Sequence, residues 1–429
     1  MTGSPASSSI PTAASTCKEV LVTTDTPTQP VFSLELSEEQ RDLRDWVHSF
    51  AERVLRPAAA EWDEREETPW PIIQEAARDG LYGLEFFAKA TFDPTGQTIP
   101  VTFEELFWGD AGSGMAIMGT LLAVSAINGS GTNSQKGQWM PQCFGTPDEV
   151  KLAAFCVSEP DAGSDVSSLK TRAVRDGDDW VINGHKTWIT NGGIASVHVV
   201  VASVYPELGS RGQATFVIPA GTTGLTQGRK ILKHGIRASH TAEVNLDDVR
   251  VPFDCLLGGK EKLERLEKAR SGESSGRQDA MATFTATRPA VGAMAVGISR
   301  AAYEQALQYA KERVQFGKAI VHHQGIAFTL AMMATEIEAA RWLVRAASWH
   351  AATGHPDARK LASMAKLKAG EVAVWATERA IQVHGGAGYD RALGVERLHR
   401  DAKIYTIFEG TAEIQQLVIA REISGERIE

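Results

Sequence analysis

The chain has 429 residues, 43% hydrophobic and 23% charged, the balance of a folded globular protein with room for two or three domains. Its 44 Lys and Arg against 53 Asp and Glu give a formal charge of −9, which excludes a basic nucleic-acid footprint. Four cysteines, Cys17, Cys143, Cys156 and Cys255, stand far apart without CxxC or His/Cys ligand spacing, so neither a disulfide framework nor a metal site is expected.

Residues 1–30 are mostly Ser, Thr, Pro and Ala, and they lack both the apolar stretch of a secretory signal and the Arg-rich pattern of a transit peptide. A disordered tail over 1–33 is expected, and with no targeting signal read, a cytoplasmic location. Ser37 and Gln40 have capping-box spacing, and Leu43, Trp46, Val47, Phe50 and Val54 follow at helical intervals. Helical spacing returns through 72–84 and 103–107, and 115–127 is apolar and rich enough in small residues for a buried helix. Charge or glycine interrupts each apolar run short of the roughly 18 to 20 residues of a membrane span, so none is expected. The first stretch, 34–152, reads as an N-terminal α-helical domain.

From Ala153 the pattern changes to short β-branched runs. Trp180-Val181-Ile182 is followed by Asn183-Gly184, a hairpin signal, then by Thr187-Trp188-Ile189-Thr190. Further runs at 197–201, 215–218 and 242–251 predict a middle antiparallel β-sheet or barrel domain over 153–258. The charged and Ser/Gly-rich stretch 259–283 reads as an inserted or extended connecting segment. Long Ala-rich helical patterns then fill 284–429. The order is α, β, α in an α+β multidomain chain without internal repeats.

Five segments could carry chemistry. Residues 156–165 leave a strand and enter a turn dense in small polar residues, able to present N–H groups and hydroxyls to an anionic or heteroaromatic ligand, though such a segment is more often a plain turn. Trp188 and Thr190 share a strand face ahead of Asn191-Gly192-Gly193, and an indole beside a hydroxyl suits an isoalloxazine ring; a strand tryptophan is more often core. Arg313 and Lys318 follow a long helix and could hold a pyrophosphate, or could simply complement the helix dipole. Residues 382–389 form a glycine cluster after a helix, which fails the strand-first test for a dinucleotide fingerprint and also suits a C-cap. Glu409 lies among Ile404, Tyr405, Ile407 and Phe408 and precedes Gly410. Desolvation should raise such a carboxyl toward neutrality, which suits a general base; a solvated helix-end glutamate is the alternative.

Together and in this order, these segments closely resemble the acyl-CoA dehydrogenase family of flavoproteins over about residues 34–427. The resemblance implies a C-terminal four-helix bundle with FAD between it and the middle domain. It implies that Phe155, Val157, Ser158, Gly163 and Ser164 contact the flavin and ribityl chain and that Trp188, Ile189 and Thr190 cover the ring. Arg313, Gln315, Phe316 and Gln324 match residues at the pyrophosphate and adenine end, and Thr411 and Glu413 belong to the same cofactor set. Gln382, Val383, Gly385 and Gly386 match a segment reaching in from a neighbouring subunit, so a homo-oligomer is implied, usually a homotetramer built as a dimer of dimers. Glu409 matches the catalytic base, while Ser164, Thr285, Arg288, Phe408 and Gly410 match positions near the CoA or thioester.

The implied reaction is FAD-dependent α,β-dehydrogenation of a fatty acyl-CoA to a trans-2-enoyl-CoA, as in fatty acid β-oxidation, with electrons passed to an electron-transfer flavoprotein. An acyl-CoA oxidase using O₂ and a non-catalytic member acting as a structural subunit share the same motifs. Thr285 stands where the family usually has an acidic residue, 257–288 is longer than usual, and 86–97 replaces a glycine-rich loop. No arginine occurs in 112–122, which argues against dicarboxylate acyl groups.

Overall fold

A computed structural model of the chain describes residues 33, 35–273 and 279–428, apart from the side chains of 279–282, 284 and 285. The tail expected over 1–33, save its last residue, lies outside the described residues, as do 274–278 and the Thr285 side chain.

The chain opens with eight helices: α1 (Glu38–Phe50), α2 (Arg56–Arg65), α3 (Trp70–Arg78), α4 (Leu84–Thr91), α5 (Thr98–Gly109), α6 (Ala111–Met118), α7 (Thr120–Ser130) and α8 (Asn133–Phe144). The expected capping box is present: the Ser37 hydroxyl accepts from Gln40 N, and the Gln40 side chain returns to Ser37 N. The buried helix expected at 115–127 falls within the stretch 111–130, which is less interrupted than the sequence pattern implied. In length and composition it could cross a bilayer, because no charge falls in it and only Gly119 separates α6 from α7. Some 78% of it is buried within the protein, so it is a core element.

The middle of the chain forms a seven-stranded sheet from β1 (Ala153–Cys156), β2 (Arg172–Asp176), β3 (Asp179–Thr190), β4 (Val197–Ser203), β5 (Gln213–Pro219), β6 (Leu225–Lys230) and β7 (Thr241–Pro252). The spatial order is β1-β4-β2-β3-β7-β6, with β5 on β4. Most pairs are antiparallel, as expected, but β4 meets β1 in parallel register and touches β2 in parallel at Arg172 and Ser203. Asn183-Gly184 is not a hairpin turn: β3 runs straight through it, with a register shift against β7 between Ile182 and Gly184. Gly184 is required there because any Cβ would collide with the Thr171 side chain, and Asn183 trades two hydrogen bonds with Asp248. The reversal comes earlier, at Gly177, with φ +64°.

Helix α9 (Gly259–Ser271) follows the sheet, then α10 (Asp279–Glu312), a hairpin of β8 (Val314–Gln315) and β9 (Lys318–Ala319), α11 (Gln324–Ala352), α12 (Ala358–His384), the short α13 (Val395–Ala402) and α14 (Ala412–Ser424). Helices α10, α11, α12 and α14 pack as the expected four-helix bundle. The N-terminal helices sit on it through buried charge pairs: Glu104 of α5 meets Arg300 of α10 at 2.9 Å and Arg341 of α11 at 3.0 Å, and Glu105 accepts from Arg300 at 2.7 Å. Backbones approach closely there, since a Cβ on Gly297 would strike the Glu104 carbonyl.

Candidate functional site

The turn after β1 and the end of β3 are stitched together from beneath. Lys186 of β3, fully buried, donates to the Val157 carbonyl at 2.9 Å and pairs with the buried Glu159 at 2.8 Å. Glu159 also accepts from Lys170 N at 2.6 Å and Thr171 N at 3.0 Å, and Thr187 N donates to the Ser158 carbonyl at 2.9 Å. Burial alone would raise the Glu159 carboxyl, but Lys186 and these donors outweigh it and hold it below the usual range, while burial lowers the Lys186 ammonium against the pull of Glu159.

On this base Phe155 and Val157 are buried, Ser158 is half-buried, and Gly163 and Ser164 are exposed. Ile189 points into the core, whereas Trp188 is 62% exposed and Thr190 is half-buried, its methyl against Gly119. Trp188 holds a left-handed backbone, φ +61°, at a second irregularity between β3 and β7, an uncommon geometry for a bulky residue. The next turn is pinned by Asn191 Nδ2 to the Ala153 carbonyl at 3.1 Å, His240 Nε2 to the Gly192 carbonyl at 2.9 Å, and Gly193 N to His198 Nε2 at 3.1 Å. Burial pushes His198 down to about 4, so it stays neutral and can accept.

Glu409 occupies a second cluster. It follows a short 3₁₀ turn (Lys403–Thr406), and its backbone is left-handed, φ +56°, as is that of Gly410, φ +92°. Thr287 of α10 donates from Oγ1 to Glu409 Oε2 at 3.1 Å. Burial pushes the Glu409 carboxyl up to about 7, against the opposing Thr287 hydroxyl and the charges of Arg288 and Lys366. Arg288 is itself buried, bonded through Nη1 to Ser363 Oγ at 3.0 Å, and burial lowers its pKa. Lys366 of α12 donates to the Gly410 carbonyl at 2.6 Å, and Gln415 Nε2 of α14 reaches the carbonyls of Glu409 at 3.2 Å and Gly410 at 3.0 Å. A Cβ on Gly370 would lie 2.5 Å from the Tyr405 carbonyl, so α12 seats the turn that leads into Glu409.

The loop between β6 and β7 joins the two clusters. His240 grips Gly192, and Ile236 N donates to Asp401 Oδ1 at 2.5 Å, eight residues before Glu409. Asp401 is buried and pushed up to about 7, first by burial and then by the charge of Asp110, which burial also raises.

The remaining predicted residues stand elsewhere. Arg313, Gln315, Phe316 and Gln324 are exposed on the β8–β9 hairpin and the start of α11, with the Phe316 and His323 rings 5.9 Å apart. The hairpin packs on α10 rather than on β1 or β3. Gln382, Gly385 and Gly386 are exposed and Val383 buried at the end of α12, where Gly385 has φ +61° and His384 stacks on Tyr309 at 4.4 Å. Thr411 caps α14 by accepting from Ile414 N, with exposed Glu413 in that first turn. Phe408 and Gly410 are half-buried beside Glu409.

Sequence reasoning missed Lys186, Glu159, Thr287, Lys366 and Gln415. For Lys186, Glu159 and Lys366 the available signal was weak, a charged residue inside an apolar strand or helix pattern, which marks a buried group; Thr287 and Gln415 carried none.

Family models for the acyl-CoA dehydrogenase N-terminal, middle and C-terminal domains match residues 37–145, 154–249 and 274–424. A probable acyl-CoA dehydrogenase, fadE25, of Mycobacterium leprae is 36% identical over 398 residues, covering 92% of this chain and 98% of that one. Butyryl-CoA dehydrogenase from Megasphaera elsdenii superposes with a TM-score of 0.82 at 34% identity, over 92% of this chain and all of the other. A glutaryl-CoA dehydrogenase from Mycobacterium smegmatis in complex with FADH2 superposes with a TM-score of 0.79 at 25% identity, over 92% of this chain and 96% of that one.

Proposed function

The chain belongs to the acyl-CoA dehydrogenase family and is an oxidoreductase that dehydrogenates an acyl-CoA with FAD as cofactor; from that premise we propose that Glu409 is the base that removes the α-proton of a fatty acyl thioester. One observation carries the reading: a glutamate held on strained backbone, with its carboxyl raised to about 7 by burial and its Oε2 steered by Thr287. A base poised there is about half ionised at neutral pH and basic enough to take a carbon-bound proton.

The residues present suit FAD. Trp188 offers an uncovered indole plane, Ser158 and Thr190 offer hydroxyls beside main-chain polar groups, and Arg313 offers an exposed guanidinium beside Gln315 and Phe316 for the dinucleotide end. When bound, FAD supplies the acceptor for the β-hydrogen and its electron pair. Glu409 takes the α-proton, so the saturated thioester becomes a trans-2-enoyl-CoA. The Thr287 hydroxyl fixes the carboxylate rotamer, and Lys186 with Glu159 fixes the main chain of the Val157–Ser158 turn. Arg288, Phe408 and Gly410 are assigned to the thioester side of Glu409, and Ser164 to the CoA contacts, on the family resemblance; the Thr285 side chain lies outside the described residues.

The electrons pass to an electron-transfer flavoprotein, the acceptor implied by the family resemblance. The active form is a homotetramer in which residues 382–386 of one protomer complete the cofactor site of another. The exposed apolar side chains of Phe316 (94%) and Tyr389 (87%), with Phe328 and Met332 on α11, support an oligomer.

The test is an anaerobic titration of the yellow holoprotein with saturated acyl-CoAs from short to long and branched. Bleaching by one class names the substrate. Bleaching that survives in Glu409→Gln overturns the assigned base, and peroxide formation in air instead of transfer to the flavoprotein overturns the acceptor.

A further inference from the structure

Lys366 is among the largest fully buried side chains of the protein, 1% exposed in the middle of the bundle. Burying an ammonium costs several kcal/mol unless a partner charge compensates. Among the described residues no carboxylate lies within ion-pairing distance of it; its hydrogen bond goes to the Gly410 carbonyl at 2.6 Å. That carbonyl already receives the neutral Gln415 side chain at 3.0 Å, so satisfying it does not require a cation. A hydrophobic residue in this position would fill the space without the desolvation cost. The feature left to explain is the charge itself, placed next to the Glu409–Gly410 turn.

The turn has much to hold. Glu409 and Gly410 are both left-handed, and such a conformation persists at a non-glycine residue only when its surroundings over-determine it. Clamps arrive from two helices, Lys366 from α12 and Gln415 from α14, and a third group, Thr287 from α10, fixes the carboxylate. The charged groups facing Glu409 are Arg288 on α10 and Lys366 on α12, and Lys366 in turn faces Glu413 on α14. Arg288 is held by Ser363, whereas Lys366 is tied to the turn.

We propose that Lys366 is a positioning residue for the base: it locks the Glu409–Gly410 turn through the Gly410 carbonyl and supplies the fixed positive charge that favours the ionised carboxylate. Burial lowers the Lys366 ammonium to about 8, so it remains mostly charged over the range in which Glu409 titrates, which is what such a role requires. The inference rests on Glu409 being the base.

The test is the rate of anaerobic flavin reduction by a bleaching acyl-CoA, measured against pH in the intact holoprotein. Lys366→Gln removes the charge while keeping a donor, and Lys366→Arg keeps the charge. The expected result for K366Q is an acid limb displaced upward by about half a pH unit or more, with a lower limiting rate. For K366R the expectation is an unmoved limb with a lower limiting rate. A flavin-loaded K366Q whose profile overlays the wild type overturns the proposal. If K366Q does not retain flavin, K366R alone decides, because a limb displaced upward despite the retained charge overturns it. E409Q separates the two levels: bleaching that survives in E409Q sinks the base assignment and this inference with it. A dead E409Q beside an unmoved K366Q profile sinks this inference only.

Discussion

Lys186 and Glu159 form a fully buried ion pair at 2.8 Å that ties the end of β3 to the turn after β1, the two segments that carry the proposed flavin contacts. Removing one member leaves the other charged and unpaired in the interior, a loss of about 3–5 kcal/mol in comparable pairs. Lys186→Met is expected to release flavin on gel filtration while the α-helical signal persists. Full flavin occupancy with an unchanged melting temperature in K186M would show that the pair does not set the turn.

Glu409→Gln should separate activity from stability. The folded carboxyl is raised to about 7 from an ordinary 4.5, so the folded state favours the protonated form. The resulting stability is complete below about pH 4.5 and is lost as pH rises through 7, where the half-buried group must ionise. A neutral amide carries no such penalty. E409Q should therefore abolish bleaching and melt a few degrees higher than the wild type at pH 8, with the difference vanishing near pH 5. A variant that melts lower at both pH values contradicts this.

Asp401 has the same sign by a different route. Burial and the charge of Asp110 raise it to about 7, so it stabilises the fold in its protonated form and stops doing so as pH rises through neutrality. Asp401→Asn keeps an oxygen for Ile236 N and removes the titration. The wild type's melting temperature should fall relative to D401N between about pH 4 and pH 7 and run parallel to it above about pH 8, and parallel curves throughout would refute the assignment.

Gly370→Ala places a methyl carbon 2.5 Å from the Tyr405 carbonyl. Neither α12 nor the 3₁₀ turn can yield without moving Glu409. The expected cost is about 1–3 kcal/mol of stability, read from denaturant unfolding, with a slower limiting rate of flavin reduction. A wild-type rate would mean that the turn relaxes away from the base.

The helix–sheet–helix order and the Glu409 environment were legible in the sequence because their signals are local: periodicity, a capping box, and a carboxylate among apolar neighbours. The residues that tune Glu409 were not, since Thr287, Lys366 and Gln415 come from three helices and meet only on folding. Asn183-Gly184 misled for the opposite reason. Its dipeptide matches a two-residue turn, yet a contact with Thr171, part of another strand's approach, fixes it as a bulge. The apolar stretch 111–130 was legible as a buried helix from its small residues, although its length and lack of charge also suit a spanning one. Burial against β1 and α10 settles that, and those partners are distant in the chain.

That stretch also bears on how the protein is made. Residues 111–130 leave the ribosome well before α10, one of the elements that covers them, which begins at Asp279. At ordinary elongation rates the roughly 150 intervening residues take about ten to thirty seconds, during which a twenty-residue apolar helix lacks that cover. Synthesis from the N-terminus thus makes the nascent chain a client for chaperones that shield greasy segments, and chains truncated before α10 should aggregate while the full-length chain does not.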